Sequence, residues 1–216
     1  GKDNYSQTRI EIEKDASVSL TLDGVYIDTA QVYGGAPILI SENSTGNVSI
    51  ILKGENVLIA DDYCAGIQKN GDAENIGALT ISGDGSLTVT GGSYGAGIGG
   101  GRNRAGSNIA ISGGTVTATG GERGAGIGGG YNGVGSNITI SEGTVTATAA
   151  ADATSKYSPA GAGIGGGSYK DGNNISISGG TVIATSRTTG KGGYSGAGIG
   201  GGDCGNGRDI TISGGT

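Results

Sequence analysis

The sequence predicts an all-β fold, a parallel β-helix (solenoid) with three short strands in each coil. The phrase Gly-Ala-Gly-Ile-Gly-Gly-Gly occurs four times, starting at Gly95, Gly124, Gly161 and Gly196. Six variable residues follow each copy, and then an Ile-x-Ile segment introduced by Asn or Asp. Self-similarity with a period of about 20–50 residues is typical of solenoids, in which each repeat packs only on its neighbours.

Three segments of each repeat have the alternation of half-buried strands. In the first complete copy they are Ala96–Gly99 (strand A), Ile109–Ile111 (strand B) and Val116–Ala118 (strand C). Alternate residues of a strand point to opposite faces, so small aliphatic side chains would line the interior and Thr, Ser and Gly the exterior. We expect the alanine and isoleucine of strand A to share the interior face.

The earlier part of the chain keeps the same order in a degenerate form. We count six A, seven B and six C strands, or about six and a half coils. We therefore expect a single domain over 1–216, with an N-terminal cap region (1–16), degenerate coils (17–91) and glycine-phrase coils (92–216). The last repeat stops partway, which leads us to expect flanking domains in a larger chain.

Composition argues against several classes of function. The chain of 216 residues has a net charge of −6 without a basic stripe, which argues against nucleic-acid binding. No apolar run approaches the ~20 residues of a membrane span, so membrane insertion is not expected. Histidine, the commonest general base, is absent, and no carboxylate pair recurs on a strand. We therefore expect that the protein is not an enzyme.

The corners flanking strand A carry the candidate binding residues. Tyrosines and basic residues gather there: Tyr94, Arg102, Arg104, Arg123, Tyr131, Tyr157, Tyr169, Lys170 and Tyr194. The outward side of strand A would be bare glycine, which predicts a shallow trough with a backbone floor and aromatic and basic rims. Aromatic faces pack on apolar ligand surfaces such as sugar rings, and Arg or Lys pairs with carboxylates. The alternative is that these tyrosines are only amphipathic edge residues.

The outward threonines of strand C form a second pattern. Thr115, Thr117 and Thr119 should stack under the equivalent residues of the next coil. Solenoid ice-binding proteins use flat arrays of this kind, but threonine is also a good strand former on a solvated face. Ile183 and Ser86 interrupt the array, and the sequence favours the plainer interpretation.

The two cysteines, Cys64 and Cys204, are predicted to be unpaired. Four coils separate them, which corresponds to ~19 Å at ~4.8 Å per coil. A disulfide requires Cα atoms within ~7 Å.

Residues 18 to about 101 resemble a family of bacterial surface carbohydrate-binding domains with a right-handed, polysaccharide-lyase-like β-helix. The resemblance rests on the segments 18–27 (VSLTLDGVYI), 36–40 (APILI), 54–59 (GENVLI), 65–67 (AGI) and 79–90 (LTISGDGSLTVT). The later coils are similar in style to glycine-rich repeats of large adhesin-like surface proteins.

The resemblance implies glycan binding at the cell surface, with acidic polysaccharides and calcium involved. In that family the calcium-linked coils carry Asp before the Gly-Ile of strand A, where this sequence has alanine, as at Ala65 and Ala96. No metal ligand can therefore be carried over, and we expect no cofactor. We expect an extracellular, non-catalytic module that binds polysaccharide; the alternative is a passive stalk of a surface adhesin.

Overall fold

The computed structural model describes residues 8–71, 76–150, 159–187 and 194–216, which form a right-handed parallel β-helix of about six turns. The predicted fold class is confirmed. All the strand pairs within its two sheets are parallel, as expected when each coil returns the chain to the same edge.

The A strands form one seven-stranded sheet. In chain order its strands are β1 (Ile10–Ile12), β4 (Ile38–Ile40), β7 (Ile67–Lys69), β10 (Ile98–Gly99), β12 (Ile127–Gly128), β14 (Ile164–Gly165) and β17 (Ile199–Gly200). Their first isoleucines pair in register from Ile10 to Ile199, which confirms the predicted isoleucine column. The segment assigned to the cap thus contributes the first strand of this sheet.

The B and C strands belong to one eleven-stranded sheet. The B positions are in β2 (Val18–Asp23), β5 (Val48–Lys53), β8 (Leu79–Gly83), β11 (Gly106–Gly120), β13 (Gly135–Ala149), β15 (Gly172–Ile177) and β18 (Gly207–Ile212). The C positions are in β3 (Tyr26–Asp28), β6 (Glu55–Ile59), β9 (Ser86–Thr90), the second halves of β11 and β13, and β16 (Thr181–Ser186). Because β11 and β13 run through both positions, the B and C strands are joined in one sheet. Irregular register between Ile111 and Thr115 marks the bend.

The core is a narrow column of aliphatic side chains inside the coils. Ile98, Ile111 and Val116 are fully buried, and so are their equivalents in the next coil; in the last coil Val182 and Ile199 are half-buried and Ile212 is exposed. Lys69 is an exception, because it lies on an inward position of β7 and is only 4% exposed. Its ammonium group donates a hydrogen bond to the carbonyl of Ser107 at 3.0 Å.

A ladder of asparagines stabilises the corner that opens strand B. Asn108, Asn137 and Asn174 all have φ near +50°, a region that asparagine tolerates better than most residues. Asn137 Nδ2 donates to Asn108 Oδ1 at 2.8 Å, and Asn174 Nδ2 donates to Asn137 Oδ1 at 2.7 Å. The repeated Asn-Ile-x-Ile motif is therefore explained by the corner as well as by the core.

Candidate functional site

The glycine phrase curls the chain so that the residues before and after it lie close together. The N–H of Ala96 donates to the carbonyl of Gly100 at 2.9 Å, and the later three copies repeat this bond. Gly99 has φ +133°, and a Cβ atom there would lie 2.0 Å from the carbonyl oxygen of Gly128. Only glycine fits such a position, because both the dihedral angle and the contact exclude a side chain.

The predicted trough with an open backbone floor over strand A is wrong, because the curl of the chain buries this segment. All seven residues from Gly95 to Gly101 are buried, and a Cβ atom on Gly97 would meet the backbone of Thr119 and Gly126. The outward side of strand A is therefore covered by protein backbone instead of being open to a ligand. These glycines permit close stacking of neighbouring coils.

Backbone hydrogen bonds between coils place the flanking side chains side by side. The N–H of Arg102, after one phrase, donates to the carbonyl of Tyr63, before the preceding one, at 2.9 Å. The N–H of Tyr131 donates in the same way to the carbonyl of Tyr94 at 2.8 Å. Residues from both sides of strand A thus alternate along one line parallel to the helix axis.

Four tyrosine rings on this line contact one another. Tyr63 and Tyr94 are stacked, with centroids 5.4 Å apart and planes 6° from parallel. Tyr131 meets Tyr94 edge-on at 5.6 Å, and Tyr169 meets Tyr131 edge-on at 6.0 Å. Both arrangements are favourable for aromatic pairs, so the rings support one another.

Two arginines each contact two neighbouring rings of this line from one side. The Arg102 guanidinium carbon lies 5.1 Å from the centroids of both Tyr63 and Tyr94. The Arg123 guanidinium carbon lies 5.4 Å from the centroids of both Tyr94 and Tyr131. These distances are within the range of cation–π attraction. We call the six residues Tyr63, Tyr94, Arg102, Arg123, Tyr131 and Tyr169 the tyrosine–arginine ladder.

The ladder remains accessible to ligands. Tyr63 and Tyr169 are 41% and 46% exposed, Arg102 is exposed, and Tyr94 and Tyr131 are half-buried. Partial burial, with neighbouring negative charge, raises the pKa of Tyr169, so its phenol remains a neutral hydrogen-bond donor at ordinary pH.

The two ladder arginines have no carboxylate partner among the described residues. The ion pairs formed there are Arg9–Glu11, Arg104–Glu42 and Arg208–Asp171. The Arg123 Nε atom is buried and finds no hydrogen-bond acceptor among these residues. The ladder therefore combines apolar ring surface with two arginines that pair with no carboxylate in the described part of the chain.

Several of the predicted binding residues lie outside the ladder. The Arg104 side chain is bound to Glu42. Lys170 is half-buried and Tyr194 is 50% exposed, but neither makes a ring contact with the ladder among the described residues. Tyr157 lies outside the described residues. The structure thus brings together Tyr94, Arg102, Arg123, Tyr131 and Tyr169 from the predicted set.

Tyr63 is not among the predicted binding residues, although the sequence contains a signal for it. Ile67 and Ile98 occupy the same column of the A sheet, and Tyr63 and Tyr94 each precede this isoleucine by four residues. Tyr33, which is 94% exposed, lies on the same corner of the first coil but contacts no ladder ring.

The described residues include no group of three or more His, Cys, Asp or Glu side chains placed to hold a metal ion. Among them, no helix is long and apolar enough to cross a membrane. Both cysteines are free, as predicted; Cys64 is buried and Cys204 is exposed. Burial raises the pKa of the Cys64 thiol to about 11.

Four segments match the family model described as the beta helix repeat: residues 79–102, 109–131, 138–168 and 175–203. This part of the chain belongs to the beta helix repeat family. Each segment starts in a B strand and ends just after the next glycine phrase, so the family repeat and the structural coil coincide. Comparisons with curated proteins and with solved structures give no significant match. Membership of this family fixes the fold and leaves the activity open.

Proposed function

We propose that the chain is a non-catalytic polysaccharide-binding module whose ligand lies along the tyrosine–arginine ladder. The observation that carries the proposal is the ladder itself, a continuous row of accessible tyrosine rings with two arginines packed beside them. We place the module outside the cell, in a bacterial surface or secreted protein, in accord with the family that the early coils resemble.

The rings supply the apolar part of the site. Sugar rings present flat C–H faces that pack against tyrosine, while the tyrosine hydroxyl groups can bond to sugar hydroxyls. Successive ring centroids are 5.4, 5.6 and 6.0 Å apart, so the row can support several consecutive sugars of a linear chain. Mutual packing already restricts these side chains, so little conformational entropy is lost when a ligand binds.

The arginines favour acidic polysaccharides, such as uronate-rich polymers. Arg102 and Arg123 have no carboxylate partner among the described residues, whereas Arg104 is paired with Glu42. A guanidinium group can bind a carboxylate through two parallel hydrogen bonds, and ring contacts hold it in place for that purpose. The proposal uses no metal, and we expect binding to persist in the presence of EDTA.

A second candidate function is that of a passive stalk in a surface adhesin, and one observation favours it. The isoleucine column runs in register through all seven strands of the A sheet, and a Cβ atom on the phrase glycines would collide with neighbouring backbone. Such a stack has little freedom to bend, and a rigid rod could separate another domain from the cell wall without a ligand of its own.

Affinity electrophoresis in gels containing pectate, xylan or cellulose tests the proposal. We expect pectate to retard the wild-type chain most. Tyr94→Ala should weaken retardation up to ~10-fold, since an aromatic contact is worth up to ~1.5 kcal/mol. Arg102→Ala should reduce binding to pectate more than binding to xylan. Tyr33→Ala is the matched control, because it removes an exposed tyrosine outside the ladder.

Salt separates the two contributions. Arginine–carboxylate contacts near solvent should weaken as the Debye length falls from ~10 Å at 0.1 M to ~3 Å at 1 M salt, while ring stacking should persist. If Tyr94→Ala and Arg102→Ala bind as well as wild type, the ladder is not the site. If no polymer retards the wild-type chain, the stalk is the better account.

A further inference from the structure

The outward residues of the C strands form a regular array that the proposed function does not use. Over four coils it has three columns: Ser86, Thr115, Thr144 and Thr181; Thr88, Thr117, Thr146 and Ile183; and Thr90, Thr119, Thr148 and Thr185. Ten of these twelve positions are threonine. We call the array the threonine face.

The face is regular in both directions. Thr115–Thr119 pair with Thr144–Thr148 residue by residue, and the register shifts of this strand pair lie before Thr115. Neighbouring strands lie ~4.8 Å apart, and alternate residues of a strand ~6.7 Å apart. Threonine is β-branched and has few χ1 rotamers, so the hydroxyl and methyl groups of a column repeat with the same orientation.

The hydroxyl groups in the second and third columns of the face make no hydrogen bond among the described residues, whereas that of Thr181, in the first column, lies 3.2 Å from the Thr216 hydroxyl. Among the described residues, no hydrogen bond engages the side chains of Thr117, Thr119, Thr146 or Thr148, and all four are half-buried beside one another. Thr115 and Thr144 are exposed at the edge. No position of the face is charged. The face therefore offers ordered hydroxyl groups separated by methyl groups.

A regular uncharged array on the outer side of a sheet is a poor site for a small soluble ligand, which needs a concave pocket. It suits a ligand whose own surface is periodic. Water molecules bonded to the hydroxyl groups would be held at the repeat of the array, and the stiff side chains would lose little freedom. We propose that the threonine face binds the surface of an ice crystal through such ordered water.

Inhibition of ice recrystallisation tests this proposal, with partition of labelled protein into a growing ice front as a second readout. We expect wild type to slow grain growth. The double variant Thr117→Tyr/Thr146→Tyr should lose at least tenfold in potency, because the bulky rings interrupt the central column. Thr139→Tyr is the control, since Thr139 is exposed on the first half of β13, outside the face. Circular dichroism and thermal unfolding verify that all variants are folded.

A gain-of-function variant makes the test independent of damage to the fold. Ile183→Thr completes the central column and should increase potency. Absence of ice activity in wild type, or equal activity of the double variant and wild type, would overturn the proposal. Ice-inactive wild type that binds microcrystalline cellulose, with binding lost in the double variant, would assign the face to a crystalline polysaccharide instead. Neither result depends on the tyrosine–arginine ladder.

Discussion

Replacement of the buried Lys69 by isoleucine should make the protein more stable than the wild-type chain. Lys69 occupies an inward position that Ile40 fills in the preceding coil, and burial lowers the pKa of its ammonium group from 10.5 to about 8. Since each pKa unit is worth ~1.4 kcal/mol, the buried charge costs the folded state ~3 kcal/mol at neutral pH. Lys69→Ile removes this cost but also removes the hydrogen bond to Ser107, worth ~1 kcal/mol. We therefore expect a net gain of ~2 kcal/mol at pH 7.

The stability difference between Lys69→Ile and wild type should decrease as the pH rises. Between pH 8 and 10.5 the folded wild-type chain has released the Lys69 proton, while the unfolded chain still holds it. The unfolded state binds more protons, so wild-type stability rises with pH in this window. The advantage of Lys69→Ile should therefore shrink as the pH rises above 8 and should be nearly lost near pH 10.

Urea unfolding at pH 7 and pH 10, followed by circular dichroism, measures both effects. Tyrosines and the other lysines titrate in both chains, so their effect on stability cancels when the variant is compared with wild type at the same pH. Lys53→Ile is the matched control, because Lys53 is exposed and its substitution should change stability by under ~0.5 kcal/mol at either pH. Destabilisation by Lys69→Ile at pH 7, or a difference that does not change with pH, would refute the reasoning.

Three further predictions test the packing of the coils. Ile140→Ala should lower the free energy of unfolding by ~2–5 kcal/mol, and Thr139→Ala by less than ~1 kcal/mol, in urea unfolding; equal losses would reverse the assignment of inside and outside. Gly99→Ala should cost more than ~3 kcal/mol or prevent folding, because φ is +133° and a Cβ would meet a neighbouring carbonyl; a wild-type melting temperature would contradict this. A thiol reagent should label Cys204 in the native chain and also Cys64 after denaturation, since Cys64 is buried; rapid labelling of both in the native chain would show that the coils open there.

The repeated phrases were sufficient to predict the solenoid and its isoleucine columns. The identical phrase fixes which residue lies above which, and Ile98, Ile127 and Ile164 stack accordingly although the loops between the copies differ in length. The alternation of Val116 and Ala118 with threonine correctly placed the inside and outside of strand C. These features depend on local periodicity, which the sequence displays directly.

The shape of the glycine phrase could not be predicted in the same way. Ala-Gly-Ile-Gly has the alternation of an extended strand, but a positive φ at Gly99 and the bond from Ala96 to Gly100 curl it. Alternation reports which side chains are apolar and does not report backbone dihedrals at glycine. The predicted open floor was wrong for that reason. The rings that Arg102 and Arg123 contact depend on the same curl, so the ladder could not be predicted from the sequence.

A crystal structure of the chain with a bound oligogalacturonate would test the central claim most directly. We predict a sugar ring against the faces of Tyr63, Tyr94 or Tyr131, with a uronate carboxylate bonded to Arg102 or Arg123. An oligosaccharide bound elsewhere on the coils, with the tyrosine–arginine ladder free of ligand at saturating concentration, would contradict the account.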